Sequence, residues 1–213
     1  MKAFSFGAIS LLSVQRAYAW GAIGHEAVGF VAMEFLAPNA LSFVQSSLAG
    51  SEFDQSLGVA ATWADEVRSE AAFAWSANLH FVDAEDNPPS SCSVSESRDC
   101  GNGFCILTAI ANYTTRVVQT SLSATQRQQA LLFLDHFIGD IGQPLHVEAD
   151  ALGGNDIDVT CAGSRTNLHS VWGMEHLISL WPIIDALPRL WDDQQASQCQ
   201  LSQFGQCMGG CAD

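Results

Sequence analysis

Residues 134–148 read LDHFIGDIGQPLHVE. His136 and Asp140 stand four positions apart, so on a helix they project from one face, one turn from each other. Gln143-Pro144 ends such a helix, because proline lacks the amide proton and clashes with the preceding turn. The returning chain then offers His146. Two donors at i and i+4 plus a returning imidazole can converge nitrogen and oxygen on one point, a donor set that suits zinc. Taken alone, the segment reads equally well as a capped core helix with satisfied polar side chains.

Other donors shift that balance. His25 lies in AIGHEAV, Asp65 in TWADEVR, His80 in NLHFVD and His169 in NLHSVWG. Singly, each reads as a satisfied core residue. Together, in a chain only 15% charged, they point to metal chemistry. Residues 1–19 carry Lys2, a short apolar run over 3–14 and Ala17-Tyr18-Ala19, the pattern of a secretory signal peptide cleaved after Ala19. Cleavage there frees the α-amino group of Trp20. That amine and its own carbonyl form a chelating pair, with His25 about one helical turn further on. Metal binding requires the neutral amine.

A secreted, extracellular chain sets the expectation for the seven cysteines, which read first as disulfide partners. Cys100 and Cys105, with Gly101 and Gly103 between them, can close a small loop. The odd count leaves at least one thiol without an intramolecular partner. Asn112-Tyr113-Thr114 is a glycosylation sequon, usable on a secretory route. No stretch is long and apolar enough to span a bilayer, so no membrane partner is expected, and no protein partner is implied. Eight Lys plus Arg against 23 Asp plus Glu give a net charge of −15. That excludes binding of a phosphate backbone through a basic patch. Bound divalent cations could supply the positive charge instead.

The elements that must position these residues read as mostly α, in one domain. Apolar spacing predicts helices over 22–37, 39–49 and 56–68. Residues 83–103, rich in Pro, Ser, Gly, Asn and Cys, read as loop. Ser123 and Gln126 form a capping box opening a helix from about 124 to 141, with an apolar stripe of Leu131, Leu134, Phe137, Ile138 and Ile141. Residues 151–163 read as loop with a short extended piece. A last helix is expected over 167–181, with Asn167 as its cap.

The ordered string WGAIGHE, TWADEVR, LHFVD, LDHFIGDIGQPLH, GGND and NLHSVW, over residues 20–172, resembles the S1/P1 nuclease family. The resemblance implies a secreted, zinc-dependent endonuclease acting on single-stranded DNA and RNA, with 3′-nucleotidase activity. Its helical fold is shared with zinc phospholipase C. It implies a trinuclear zinc cluster: one ion on Asp65, His80, His136 and Asp140, and a second on the Trp20 amine and carbonyl, His25 and the other oxygen of Asp140. A third ion takes His146, His169 and an aspartate four residues after His169. A zinc-activated water then attacks phosphorus in line and leaves 5′-phosphate products. Asp65 and Asp140 serve the catalytic cluster, Arg68 neutralises the phosphate, Phe81 stacks on a base and Asp83 accepts from its edge.

The resemblance breaks at position 173, which is Gly173 and not aspartate, so the third site lacks that ligand. The expected organisation is therefore a signal peptide over 1–19, a nuclease-like domain over 20–172 and a non-matching tail over 173–213, with the fold missing its last helices. The expected origin of the tail is a retained intron, since Asp and Gly codons share their first base and an intron opening GTATG reads Gly-Met; the alternative is an authentic divergent tail. Cys92 must then pair with Cys161, Cys199, Cys207 or Cys211, or stay free. The alternatives are a phospholipase C-like phosphodiesterase and an inactive truncated zinc-binding secreted protein.

Overall fold

The structure is a computed structural model. It describes residues 20–87, 90–161, 163–175 and 211–212, the last two and 174–175 by backbone alone. The signal-peptide reading of 1–19, His176, Cys199, Cys207 and most of the tail lie outside the described residues.

The chain is mostly helical, as expected. α1 spans Ala22–Phe35, α2 Pro38–Leu48, α3 Leu57–Ala60, α4 Trp63–Val67, α5 Glu96–Asp99, α6 Ile106–Val118 and α7 Ala124–Ile141. Single 3-10 turns cover Ala74–Leu79, Gly101–Gly103 and Pro144–Val147. β1 (Asp158–Cys161) pairs antiparallel with β2 (Ser164–Asn167) and, on its other side, with β3 (Cys211–Ala212). Among the described residues no helix is long and apolar enough to cross a membrane.

α7 is the central element. Its capping box forms as expected: Gln126 N–H donates to Ser123 Oγ, and Ser123 N–H donates to Gln126 Oε1, each at 3.2 Å. The buried face differs from the expected stripe. Phe133 and Phe137 are fully buried, whereas Ile138 is 49% exposed. Aromatic packing decides this. Phe133 stacks on Tyr113 of α6 at 5.0 Å, meets Trp63 edge-on at 5.0 Å and lies 5.5 Å from Phe137. Each such side chain contributes roughly 2–3 kcal/mol on burial. The α6–α7 pair forms the body of the core.

Three expectations are corrected. Residues 106–118 were assigned no element, yet form α6; β-branched Ile, Thr and Val hide a face of Ile106, Ala109, Tyr113 and Val117 that is buried at helical spacing. The loop over 83–103 contains α5 and a 3-10 turn, stabilised by Asp99, whose carboxylate takes the N–H groups of Ser95 and Glu85 at 2.7 and 3.1 Å. The helix expected over 56–68 is two short helices, because Asp65 N–H donates to the Thr62 carbonyl at 3.1 Å and so releases the carbonyl of Ala61. That carbonyl accepts from the His136 ring instead.

Two features hold α1 against the body. A Cβ on Gly29 would lie 2.7 Å from the Gly58 nitrogen, so the α1 and α3 backbones meet there, and the Phe30 ring fills the place of a Cβ on Gly58, 2.4 Å from it. Gly29 is one turn beyond His25, which fixes how deeply that imidazole reaches.

Asp135 on α7 is a liability. Its Oδ2 is buried without a hydrogen-bond partner. Burial pushes its carboxyl up to about 7, from 3.8 in an exposed chain. The fold therefore holds this proton more tightly than the unfolded chain, and stability falls as pH rises from about 4 through 7. The difference bounds the loss at roughly 4 kcal/mol, at about 1.4 kcal/mol per pH unit. Asp135→Asn is expected to raise the urea midpoint at pH 8 and leave it unchanged near pH 4; equal midpoints at pH 8 would refute the assignment.

Candidate metal centre

Asp140, on the last turn of α7, is fully buried and is the hub. Its Oδ2 lies 3.0 Å from His80 Nδ1 and 3.1 Å from His136 Nε2. Its Oδ1 lies 3.3 Å from His25 Nε2 and 3.6 Å from His146 Nδ1. Asp65 Oδ1 completes the first group, 3.6 Å from His136 Nε2 and 3.7 Å from His80 Nδ1. The His25 ring stacks on the His136 ring at 3.8 Å. The structure thus brings together His25 of α1, Asp65 of α4, His80 after the 3-10 turn, and His136 and Asp140 of α7.

Backbone carbonyls fix the ring orientations. His136 Nδ1 donates to the released Ala61 carbonyl at 2.6 Å, His146 Nδ1 to the His80 carbonyl at 2.7 Å, and His169 Nδ1 to the Gly153 carbonyl at 2.8 Å. Whenever the ring is neutral, this leaves its Nε2 as the free lone pair. The His146 and His169 rings lie 5.2 Å apart.

These residues fit a metal. His136 Nε2, as a lone pair, faces carboxylate oxygens and lies 3.1 Å from His80 Nδ1. One hydrogen cannot satisfy all of these contacts. Neighbouring donors around a tetrahedral zinc lie about 3.3 Å apart, given metal–nitrogen distances of roughly 2.0–2.1 Å. His25 Nδ1 and Nε2, Asp65 Oδ1 and Asp140 Oδ1 are buried without a hydrogen-bond partner. Donor atoms of His25, Asp65 and His136, and of His80, His136 and Asp140, all lie within 4.8 Å of one another in each group.

The electrostatics agree. Burial pushes His136 down, but the Asp140 and Asp65 carboxylates outweigh it and raise the ring to about 10. Burial pushes Asp140 up, and the surrounding histidines hold it well below the usual carboxylate range. The centre demands positive charge at this point, as a proton or a cation. Burial lowers His25, His80 and His169, and takes His146 down to about 4, so these rings are neutral and ready to ligate.

A sequence model of the S1/P1 nuclease family matches residues 20–181. The chain belongs to that family. It is 54% identical over 153 residues to Nuclease P1 of Penicillium citrinum, an alignment covering 72% of this chain and 56% of that protein. It is 45% identical over 165 residues to Nuclease S1 of Aspergillus oryzae, covering 78% and 57%. It is 36% identical over 212 residues to Endonuclease 3 of Arabidopsis thaliana, covering 89% and 70%. The chain spans little more than half the length of the first two.

The other S1/P1 positions fall as follows. Arg68 caps α4 and its guanidinium lies 3.0 Å from Asp65 Oδ1. Arg68, Phe81, Asp83, His80, His146 and His169 line one cavity of about 260 Å³. Burial, with Glu85 nearby, raises the Asp83 carboxyl. Trp20 Nε1 donates to the Gly139 carbonyl at 2.7 Å, which places residue 20 beside Asp140. The next amide, Gly21 N–H, donates to the carbonyl of Gly173 at 2.9 Å. Gly173 lies in a π-helical turn over Val171–Glu175, so over the described residues the helical reading of 167–181 is met by short turns, and 176–181 lie outside the described residues. Cys100 and Cys105 form a disulfide, with Cα atoms 5.1 Å apart. Cys92 is exposed and outside any disulfide among the described residues, while Cys161 pairs in register with Cys211.

Sequence reasoning missed the cavity's remaining wall of Leu145, Glu148, Leu152, Gly153 and Asn155. The signal lay in the quoted GGND. Ala151, Leu152, Gly153 and Gly154 all take positive φ, from 49° to 75°. A Cβ on Gly153 would lie 2.5 Å from the Leu145 carbonyl oxygen. The glycines therefore let this turn close under His169. Asn155 Nδ2 donates to the Leu152 carbonyl at 2.7 Å, and its Oδ1 is buried without a partner.

Gly139 is a seat for His25: a Cβ there would lie 2.9 Å from His25 Nδ1. Gly139→Ala is expected to displace the ring and weaken metal binding by roughly 10- to 100-fold, the equivalent of about 1–3 kcal/mol of overpacking. Competition with a chelator measures this, and wild-type affinity in the variant would remove Gly139 from the design of the site.

Proposed function

We propose that this chain is a secreted zinc-dependent endonuclease. It hydrolyses phosphodiester bonds of single-stranded DNA and RNA to 5′-phosphate products, and acts as a 3′-nucleotidase. The observation that carries the reading is the division of buried Asp140, whose two oxygens face different histidines, of which His80 and His146 line the cavity. Zinc bound there supplies an activated water and electrophilic stabilisation of the phosphoryl oxygens. Asp65, His80, His136 and Asp140 would hold one ion, the Trp20 main chain, His25 and the other Asp140 oxygen a second, and His146 and His169 a third that would lack an aspartate because residue 173 is Gly173.

The chain's own residues do the rest. Arg68, tethered by Asp65, faces the cavity and neutralises a phosphate oxygen. Phe81 offers its ring to a base, a contact worth roughly 1–3 kcal/mol and tolerant of sequence. Asp83 and the free Oδ1 of Asn155 accept from the base edge. A duplex offers no splayed base, which accounts for single-strand preference. With a net charge of −15, the substrate is drawn by metal and ring rather than by a basic surface. Asn112, exposed on α6, is the acceptor for an N-linked glycan on the secretory route.

Gly173 favours a second reading, a zinc-binding protein without turnover. The test is to incubate the chain with single-stranded DNA, duplex DNA and phosphatidylcholine vesicles, with zinc, with chelator, and with zinc restored. Zinc-restored cutting of the single strand alone supports the nuclease. Headgroup release would replace it with a phospholipase C activity. Bound zinc with no cutting would establish the inactive reading.

A further inference from the structure

We infer that Gln143 is the positioning residue that holds His146 in register with Asp140, acting through its side-chain carbonyl and not through packing. The inference rests on the metal-centre reading above. Gln143 is fully buried. Its N–H donates to the Asp140 carbonyl at 3.0 Å, and its own carbonyl accepts the His146 N–H at 3.0 Å. One residue therefore joins the main chains of the hub Asp140 and the returning His146 through its own main chain.

The side chain meets a need created by Pro144. Proline ends α7, so the amide of Leu145 has no helical carbonyl to reach. Its acceptor is Gln143 Oε1, at 2.6 Å. This contact caps the 3-10 turn over Pro144–Val147 that carries His146. On the far side, His146 is latched by two bonds: its Nδ1–H to the His80 carbonyl and the Val82 N–H to its own carbonyl, at 2.7 and 2.9 Å. Those latches set the far side of the turn. Gln143 sets the near side, and with it the distance between His146 and Asp140 Oδ1, which is 3.6 Å. Leu145, whose amide is held, also lines the cavity and contacts the Gly154 turn under His169. Slippage of the cap would therefore disturb both imidazoles of the His146–His169 pair. The Gln143 Nε2 is buried without a partner, so the amide is retained for its oxygen at the cost of an unsatisfied donor.

Two variants separate positioning from packing. Gln143→Met keeps length and bulk but has no acceptor. Gln143→Asn leaves a gap, yet its shorter side chain can still accept from the amide two residues on, the common Asx-turn arrangement. Zinc retained per chain is measured by chelator competition on the full chain, beside a urea midpoint for each variant. The expected result is a roughly 10- to 100-fold weaker last zinc in Gln143→Met, the range for loss of a group supporting a metal ligand. Gln143→Asn is expected to bind close to wild type, even where its urea midpoint is lower. The reverse order, with Met binding as wild type and Asn weakened, would overturn the inference in favour of packing. A wild-type chain that binds no zinc would instead sink the metal-centre reading itself.

Discussion

Asp140→Asn is expected to leave a chain that holds little zinc and cuts single-stranded DNA on the order of a thousand times more slowly. The substitution preserves shape at a fully buried position and removes only the charge. Four imidazoles lie within 3.6 Å of its two oxygens, so no neighbouring carboxylate substitutes on both sides. Metal-assisted stabilisation of a phosphoryl transition state is worth several kcal/mol, and about 4 kcal/mol is a thousandfold in rate. Zinc content and single-turnover cutting should fall together. A variant with full zinc and unchanged cutting would mean that Asp140 is a structural carboxylate and that the hub lies elsewhere.

The second large effect concerns residue 20. A chain carrying one extra residue before Trp20 is expected to lose zinc affinity by at least about 100-fold, the upper end of what loss of a supporting partner costs a metal site. The extension turns the amine proposed as a ligand into an amide, which does not offer a lone pair at neutral pH. It leaves the indole bond to Gly139 and the Gly21 bond to Gly173 available. The comparison therefore isolates the amine from the fold around it. Equal zinc binding by extended and processed chains would remove Trp20 from the ligands.

Much of this centre was readable from spacing. His136 and Asp140 follow from helical periodicity, and the turn to His146 follows from Pro144. The capping box at Ser123 placed the start of α7 correctly. What the sequence hid were backbone roles. Nothing in TWADEVR announces that the helix before it must break so that the Ala61 carbonyl can take His136. Nothing in IANYTTRVV outweighs the β-branched residues that disguise α6. The cavity wall at Leu152–Asn155 depends on a run of positive φ values, and only its two glycines were visible as letters. Ile138 is exposed because a hydrophobic stripe is wider than the face that finally packs; Phe133, among five aromatic rings, takes the interior.

The bond from Trp20 to Gly139 joins positions 119 residues apart. Chains are synthesised from the N-terminus at about 5–20 residues per second, so that partner emerges on the order of ten seconds after Trp20 does. During that interval α1, apolar on nearly all sides, has nothing from α7 to lie against. The candidate centre thus joins the first described residues to ones synthesised long after them, and its full donor set exists only once α7 and the turns carrying His146 and His169 have followed.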